Sequence, residues 1–145
     1  MGDNMRDRQF RTGIDPTTAD ELVSAARTGL GDTLRSIVHF TPAEFDVLYV
    51  RGDLYGDPEA ARDAKSRLVA IERSGFAEKP LRTAIGEESL GRTSVGPYRF
   101  TVRFHDDGFV VRLIEGDSGV LLTTDEMDVR AFEEAAVAVR GVLSA

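Results

Sequence analysis

His105, Asp106 and Asp107, in the stretch HDDG, come closest in this sequence to a reactive set. An imidazole beside two carboxylates can pass a proton or hold a metal ion. Their position argues against both uses, because the stretch reads as the tip of a hairpin and successive strand residues point to opposite faces. The other histidine is His39, and there is no cysteine, which excludes thiolate nucleophiles, disulfides and cysteine metal sites together. Ser89 in GEESLG lies between glycines, but not at the spacing of a G-x-S-x-G elbow, and no glycine loop ends in the Gly-Lys-Ser/Thr that cradles phosphate. Arg51-Gly52-Asp53 reads as a polar turn. The sequence thus assigns no catalytic residue, no metal ligand and no cofactor, and of the functional classes an enzyme has the least support.

Arginines offer a different chemistry. Tyr98 to Glu126 reads as three antiparallel strands. With Asp107-Gly108 as a two-residue turn, Arg103 falls opposite Arg112, Phe104 opposite Val111 and Val102 opposite Leu113. A loop over Gly116–Gly119 then sets Leu113 opposite Leu122. One face carries Val102, Phe104, Val111, Leu113 and Leu122 and should pack on helices. The other carries Arg99, Arg103, Arg112, Ile114 and Leu121, with Thr101, His105, Val110 and Thr123. Opposed like charges cost roughly a few tenths of a kcal/mol when exposed, a cost that a nearby anion relieves. Acids of the same chain, for example from the C-terminal helix, are one source; a partner protein, a second copy or a phosphate-bearing ligand are the others. Because apolar residues flank the arginines, Arg99, Arg103, Arg112, Ile114 and Leu121 form the candidate contact face.

The elements that must position this face are read from period and punctuation. Residues 1–16 are polar and without period and are expected to form a flexible arm, leaving 17–145 as a single α+β domain. Thr18 and Glu21 have capping-box spacing, which predicts a helix carrying Leu22, Val23, Ala25, Ala26 and Leu30 and closing near Gly29 or Gly31. Leu34–Phe40 alternates like a strand but could also prolong a helix. Thr41-Pro42-Ala43-Glu44 has the pattern of a helix start and predicts a helix over 42–51, although Phe45, Val47 and Tyr49 alternate as a strand would. Asp57-Pro58 opens a further helix with a stripe of Ala61, Ala64, Leu68 and Ile71, ended by Gly75. Ala77–Pro97 is predicted to be a long loop with room for a short element at PLRTAIG. Asp125 caps a last helix with Val129, Phe132, Ala136, Val139 and Leu143 inward.

At 145 residues and 41% hydrophobic content, one domain can bury a core without staples. No apolar run approaches the roughly 18 residues of a membrane span and no secretory segment opens the chain, so a cytoplasmic protein with no membrane contact is expected. The net charge is −7, and Lys65 and Lys79 are the only lysines. Acid excess with lysine avoidance resembles the cytoplasmic proteins of salt-loving archaea, where screening tolerates self-repulsion; arginine displacing lysine in a GC-rich genome is the plainer source. The sign argues against nonspecific nucleic-acid binding. Helices at 18–30, 42–51 and 58–74 before a hairpin at 98–115 nevertheless have the order of a winged helix-turn-helix. Its reading helix would carry Arg62, Lys65, Arg67 and Arg73, but Glu59, Asp63 and Glu72 cancel most of that charge.

FTPAEFDVLYVRGDL, GPYRFTVRFHDDGFVVRLIEGDSGVLLTTD and FEEAAVAVRGVL together resemble a functionally uncharacterised family of small acidic haloarchaeal proteins over Leu34–Leu143. The resemblance implies habitat and a single domain and brings no activity or functional residue. The expected fold is α+β, with N-terminal helices and a C-terminal helix packed on a three-stranded antiparallel meander. If 33–40 and 44–51 are strands instead, the order α-β-β-α-β-β-β-α resembles the roadblock or profilin-like dimerisation and scaffold domains. The expected function is a non-enzymatic interaction or regulatory module, self-associating or docked on a protein partner. A winged-helix DNA-binding regulator is the alternative, and a small-molecule sensor with the long loop as lid comes third.

Overall fold

The computed structural model describes residues 9–87 and 95–145. Five antiparallel strands form one sheet in the order β2-β1-β5-β4-β3, with β1 Leu34–Phe40, β2 Phe45–Val50, β3 Thr101–His105, β4 Gly108–Glu115 and β5 Ser118–Thr124. Helices α1 Pro16–Leu30 and α4 Val129–Leu143 cover one face. Helices α2 Pro58–Glu72 and α3 Ser74–Glu87 lie on the other. The three-stranded meander is therefore only part of the sheet, and the alternative element order is the one found.

The helix expected over 42–51 is β2. Its start signal is real hydrogen-bond chemistry put to another use: the Thr41 hydroxyl accepts from the amides of Ala43 and Glu44, and the Thr41 amide donates to the Glu44 carbonyl. The same cap that opens a helix here closes a tight β1–β2 turn. Burial of Val38, Phe40 and Phe45 between sheet and α2 decides in favour of strands, since alternation gives β1 an inward set on both faces. With no helix at 42–51, the expected winged-helix order, three helices with that one before α2 and then a hairpin, is lost.

The N-caps moved less. Asp15 rather than Thr18 caps α1, with Pro16 at its first position and Gly31 closing it at φ 58°. Asp57 caps α2 as expected. Asp128 caps α4, while Asp125 pairs with Arg35 and Arg51. Of the expected arm, residues 1–8 lie outside the described residues, and the rest is not all loose: the amides of Arg11 and Thr12 donate to the Asp46 carboxylate at 3.0 and 2.8 Å. The expected loop 77–97 holds most of α3 despite Pro80, and its residues 88–94, with Ser89, lie outside the described residues. Phe76 of α3 meets the Phe40 ring edge-on at 5.4 Å, so tertiary packing outweighs the local breakers.

The first hairpin turns one residue earlier than expected, and the second is tighter than expected. Asp106–Asp107 is the first turn and Gly116–Asp117 the second, with Gly116 at φ 61°. Each pairing thereby slides by two residues. A slip of two keeps every strand side chain on its face, so within the strands the two faces stand as read while the partners change; Arg99, which precedes β3, does not follow them. Arg103 lies opposite Val110 and Arg112 opposite Thr101. The first face joins Leu34, Ile37, Val111, Leu113, Val120 and Leu122 to Leu22, Phe132 and Val139. The second joins Val38, Phe40, Val110, Ile114 and Leu121 to Val69 and Phe76.

Candidate functional site

The second face explains the arginines. The stripe of α2 turned to the sheet is Ala61, Lys65, Val69 and Glu72, not the expected Ala61, Ala64, Leu68 and Ile71, and Ile71 is exposed. Residues at i, i+4 and i+7 or i+8 share a helix face whatever their polarity, so a stripe with Lys65 and Glu72 on it was present in the sequence but masked by apolar weighting. Glu72 is only 1% exposed. Its carboxylate accepts from Arg103 Nε at 2.5 Å and from Arg112 Nη1 at 3.3 Å.

Arg112 is buried at 3% exposure and is held on two sides. Its Nη2 donates to Glu78 of α3 at 3.1 Å and to the Thr101 hydroxyl at 3.1 Å, with Tyr98 Oη at 3.5 Å. Among the described residues, its Nε alone is a buried side-chain donor without a partner. The anion that relieves the arginines thus comes from the same chain, but from α2 and α3 rather than from the C-terminal helix. Gly75, in the first turn of α3, makes the approach possible: a Cβ there would stand 2.5 Å from Ile114 Cδ1 and 2.8 Å from Arg112 Cζ. A buried carboxylate shared by two guanidiniums clamps α2 onto the sheet in one register.

The five residues expected to form one contact face are not brought together as an open surface. Arg112, Ile114 and Leu121 are covered by α2 and α3, because the second face is a core face with one ionic cluster in it. Arg103 is half-exposed on β3 and tied to Glu72. Arg99 precedes β3 and faces α4, where Nη1 lies 3.9 Å from Glu133. Of the cations considered for DNA, Arg62 donates to the Phe45 carbonyl at 2.8 Å with its guanidinium over the Phe45 ring, and Lys65 is buried. His105 is exposed at a strand end, and among the described residues no three His, Asp or Glu gather as metal ligands. His39 is buried: its Nδ1 lies 2.8 Å from the Thr12 hydroxyl, and burial pulls it below the usual histidine value against the opposing charge of Asp46.

An open surface does exist, and it was missed. Strand β3 stands last in the sheet and pairs with β4 alone among the described residues. Phe104 on it, expected to pack on helices with Val102 and Val111, is instead 70% exposed and rests edge-on against Phe109 at 5.2 Å. Leu81 of α3 and Ile71 of α2 are exposed as well. The signal was the expected alternation of Phe104 with Arg103, but nothing in one strand's own sequence says which strand is the edge.

A family model described as a domain of unknown function (DUF7522) matches residues 20–144. The search of curated proteins found no match. Among solved structures, the gliding protein mglB from Thermus thermophilus aligns at a TM-score of 0.52 and 17% identity, covering 88% of this chain and 90% of that one. A Roadblock/LC7 domain from Streptomyces avermitilis aligns at 0.51 and 19%, covering 85% and 92%. At such identities the likeness is one of fold: the chain shares the roadblock-like arrangement of helices and a five-stranded antiparallel sheet.

Proposed function

Since the chain belongs to the DUF7522 family, a domain of unknown function whose description fixes no activity, we propose its role from geometry: a small, non-enzymatic interaction or regulatory domain that works by self-association along β3. The observation that carries this is the open edge of β3, bearing exposed Phe104. Among the described residues this edge carries no proline and no lysine, and its one arginine is drawn to Glu72. An antiparallel edge is also complementary to itself under a two-fold axis, so a second copy needs no further design. The likeness in fold to a Roadblock/LC7 domain and to a gliding protein supports a regulatory or interaction role. In this proposal the protein works in the cytoplasm of a salt-loving archaeon, on the strength of its acid excess and scarce lysine; no described helix is long and apolar enough to cross a membrane.

Light scattering of the whole chain in molar potassium chloride tests the proposal. A dimer is expected, and Phe104→Glu should reduce it to a folded monomer by placing charge on the paired edge. A wild-type monomer at tens-of-micromolar concentration, about the ordinary range for such measurements, would refute self-association. A dimer that Phe104→Glu leaves intact would place the contact elsewhere.

A further inference from the structure

Lys65 differs from every other buried charge of the second face. The residue is 4% exposed, and among the described residues its side chain makes no hydrogen bond and has no carboxylate within ion-pair distance, its Nζ keeping a narrow access to solvent. Its one close partner is the Tyr55 ring, 5.6 Å from Nζ. The side chain lines a cleft of about 610 Å³ between α2 and the β3–β4 hairpin, a size ordinary for a small-molecule site. Arg35 from β1 lines the same cleft, and its own Nη1 is engaged by Asp125 at 2.9 Å. His105 adds a third base, Leu68, Phe109 and Val110 supply apolar wall, and Asp106 and Asp107 stand at the hairpin end.

A buried cation without a counter-ion is costly, and the cost is relieved by losing the proton or by an anion that supplies the missing charge. We propose that this cleft binds a small ligand with one anionic group on an apolar or aromatic body, the anion meeting Lys65 and Arg35 and the body lying along Leu68 and Phe109. The two aspartates at the hairpin end would repel a second negative charge, which favours a monoanion over a polyphosphate. Burial, with the like charge of Arg35 behind it, lowers the Lys65 amine to about 8, and no opposing acid lifts it. A bound anion would lift it. The cleft adjoins the proposed self-association edge, since Phe104 lines it too, but the cations that would meet the anion, Lys65 and Arg35, belong to α2 and β1 of one chain.

The probes are 8-anilinonaphthalene-1-sulfonate and its uncharged counterpart N-phenyl-1-naphthylamine, titrated by fluorescence against the wild-type chain and Lys65→Met. The wild type should bind the sulfonate roughly tenfold more tightly than the neutral probe, and Lys65→Met should erase that preference. In the wild type, the Lys65 titration followed by carbon-13 resonance should move to higher pH when the sulfonate is bound. Equal affinity for both probes, no binding of either, a preference that survives in Lys65→Met, or an unmoved lysine titration would each overturn the proposal. If Lys65→Met fails to fold, the wild-type probe preference and lysine titration decide alone. None of these readouts depends on the molar mass by which the β3 contact is judged.

Discussion

Glu72→Gln removes one charge from the centre of the ionic cluster while keeping the side chain's shape. In the wild type, Glu72 is 1% exposed and Arg112 3% exposed, so the loss strips a buried guanidinium of its buried partner. Breaking one side of a buried pair costs about 3–5 kcal/mol. Two features lower that here. Arg112 keeps Glu78 at 3.1 Å, although that carboxylate is half-exposed, and Arg103, with a side chain 42% exposed, can turn to water. A loss of about 2–3 kcal/mol is expected, which in a domain of this size lowers Tm by roughly 10 °C. Thermal unfolding by circular dichroism at fixed high salt measures it. Glu72→Met combined with Arg112→Met should recover most of the loss, since a well-packed apolar pair of similar volume replaces the ions. A Glu72→Gln protein melting within about 1 °C of wild type would refute the clamp. The same cluster separates the two arginines: Arg112→Glu brings a third carboxylate to Glu72 and Glu78 and should unfold the chain, whereas Arg103→Glu acts at a half-exposed site and should be milder.

Gly75→Ala should destabilise by about 1–3 kcal/mol, read as a lower Tm, because the new methyl meets Ile114 and an Arg112 that Glu72 and Glu78 hold in place. Lys65 should make stability rise with pH: its folded value of about 8 lies below 10.5, so between these the unfolded chain binds the extra proton and the folded state gains about 3 kcal/mol at most, a gain fully absent below pH 8. The groups facing it are Arg35, Tyr55, His105, Asp106 and Asp107, so denaturant titrations of wild type against Lys65→Met isolate its share; parallel pH profiles would contradict it. Molar potassium chloride should raise Tm over dilute buffer by screening the net charge of −7, and equal values would remove the case for a salt-loving source.

The sequence by itself determined much of the local structure. Asp57-Pro58 as a helix start, Gly31 as a helix stop and the two-faced alternation of the meander all depend on neighbours in the chain, and all are found. Even where the turns were misplaced, the error of two residues left each strand side chain on its face. What tertiary structure decided is every question whose answer lies across the fold. Phe45–Val50 carries helix and strand signals of similar strength, and only pairing with β1 under α2 settles it. Lys65 and Glu72 look like solvated helix charges until α2 is laid on a sheet that already holds Arg112; the same helical spacing serves an exposed or a buried face, and the partner chooses. The arginines were visible as a pair in need of an anion, but the carboxylate that answers them is 31 residues from Arg103 and 40 from Arg112, a distance that no local pattern spans and folding closes.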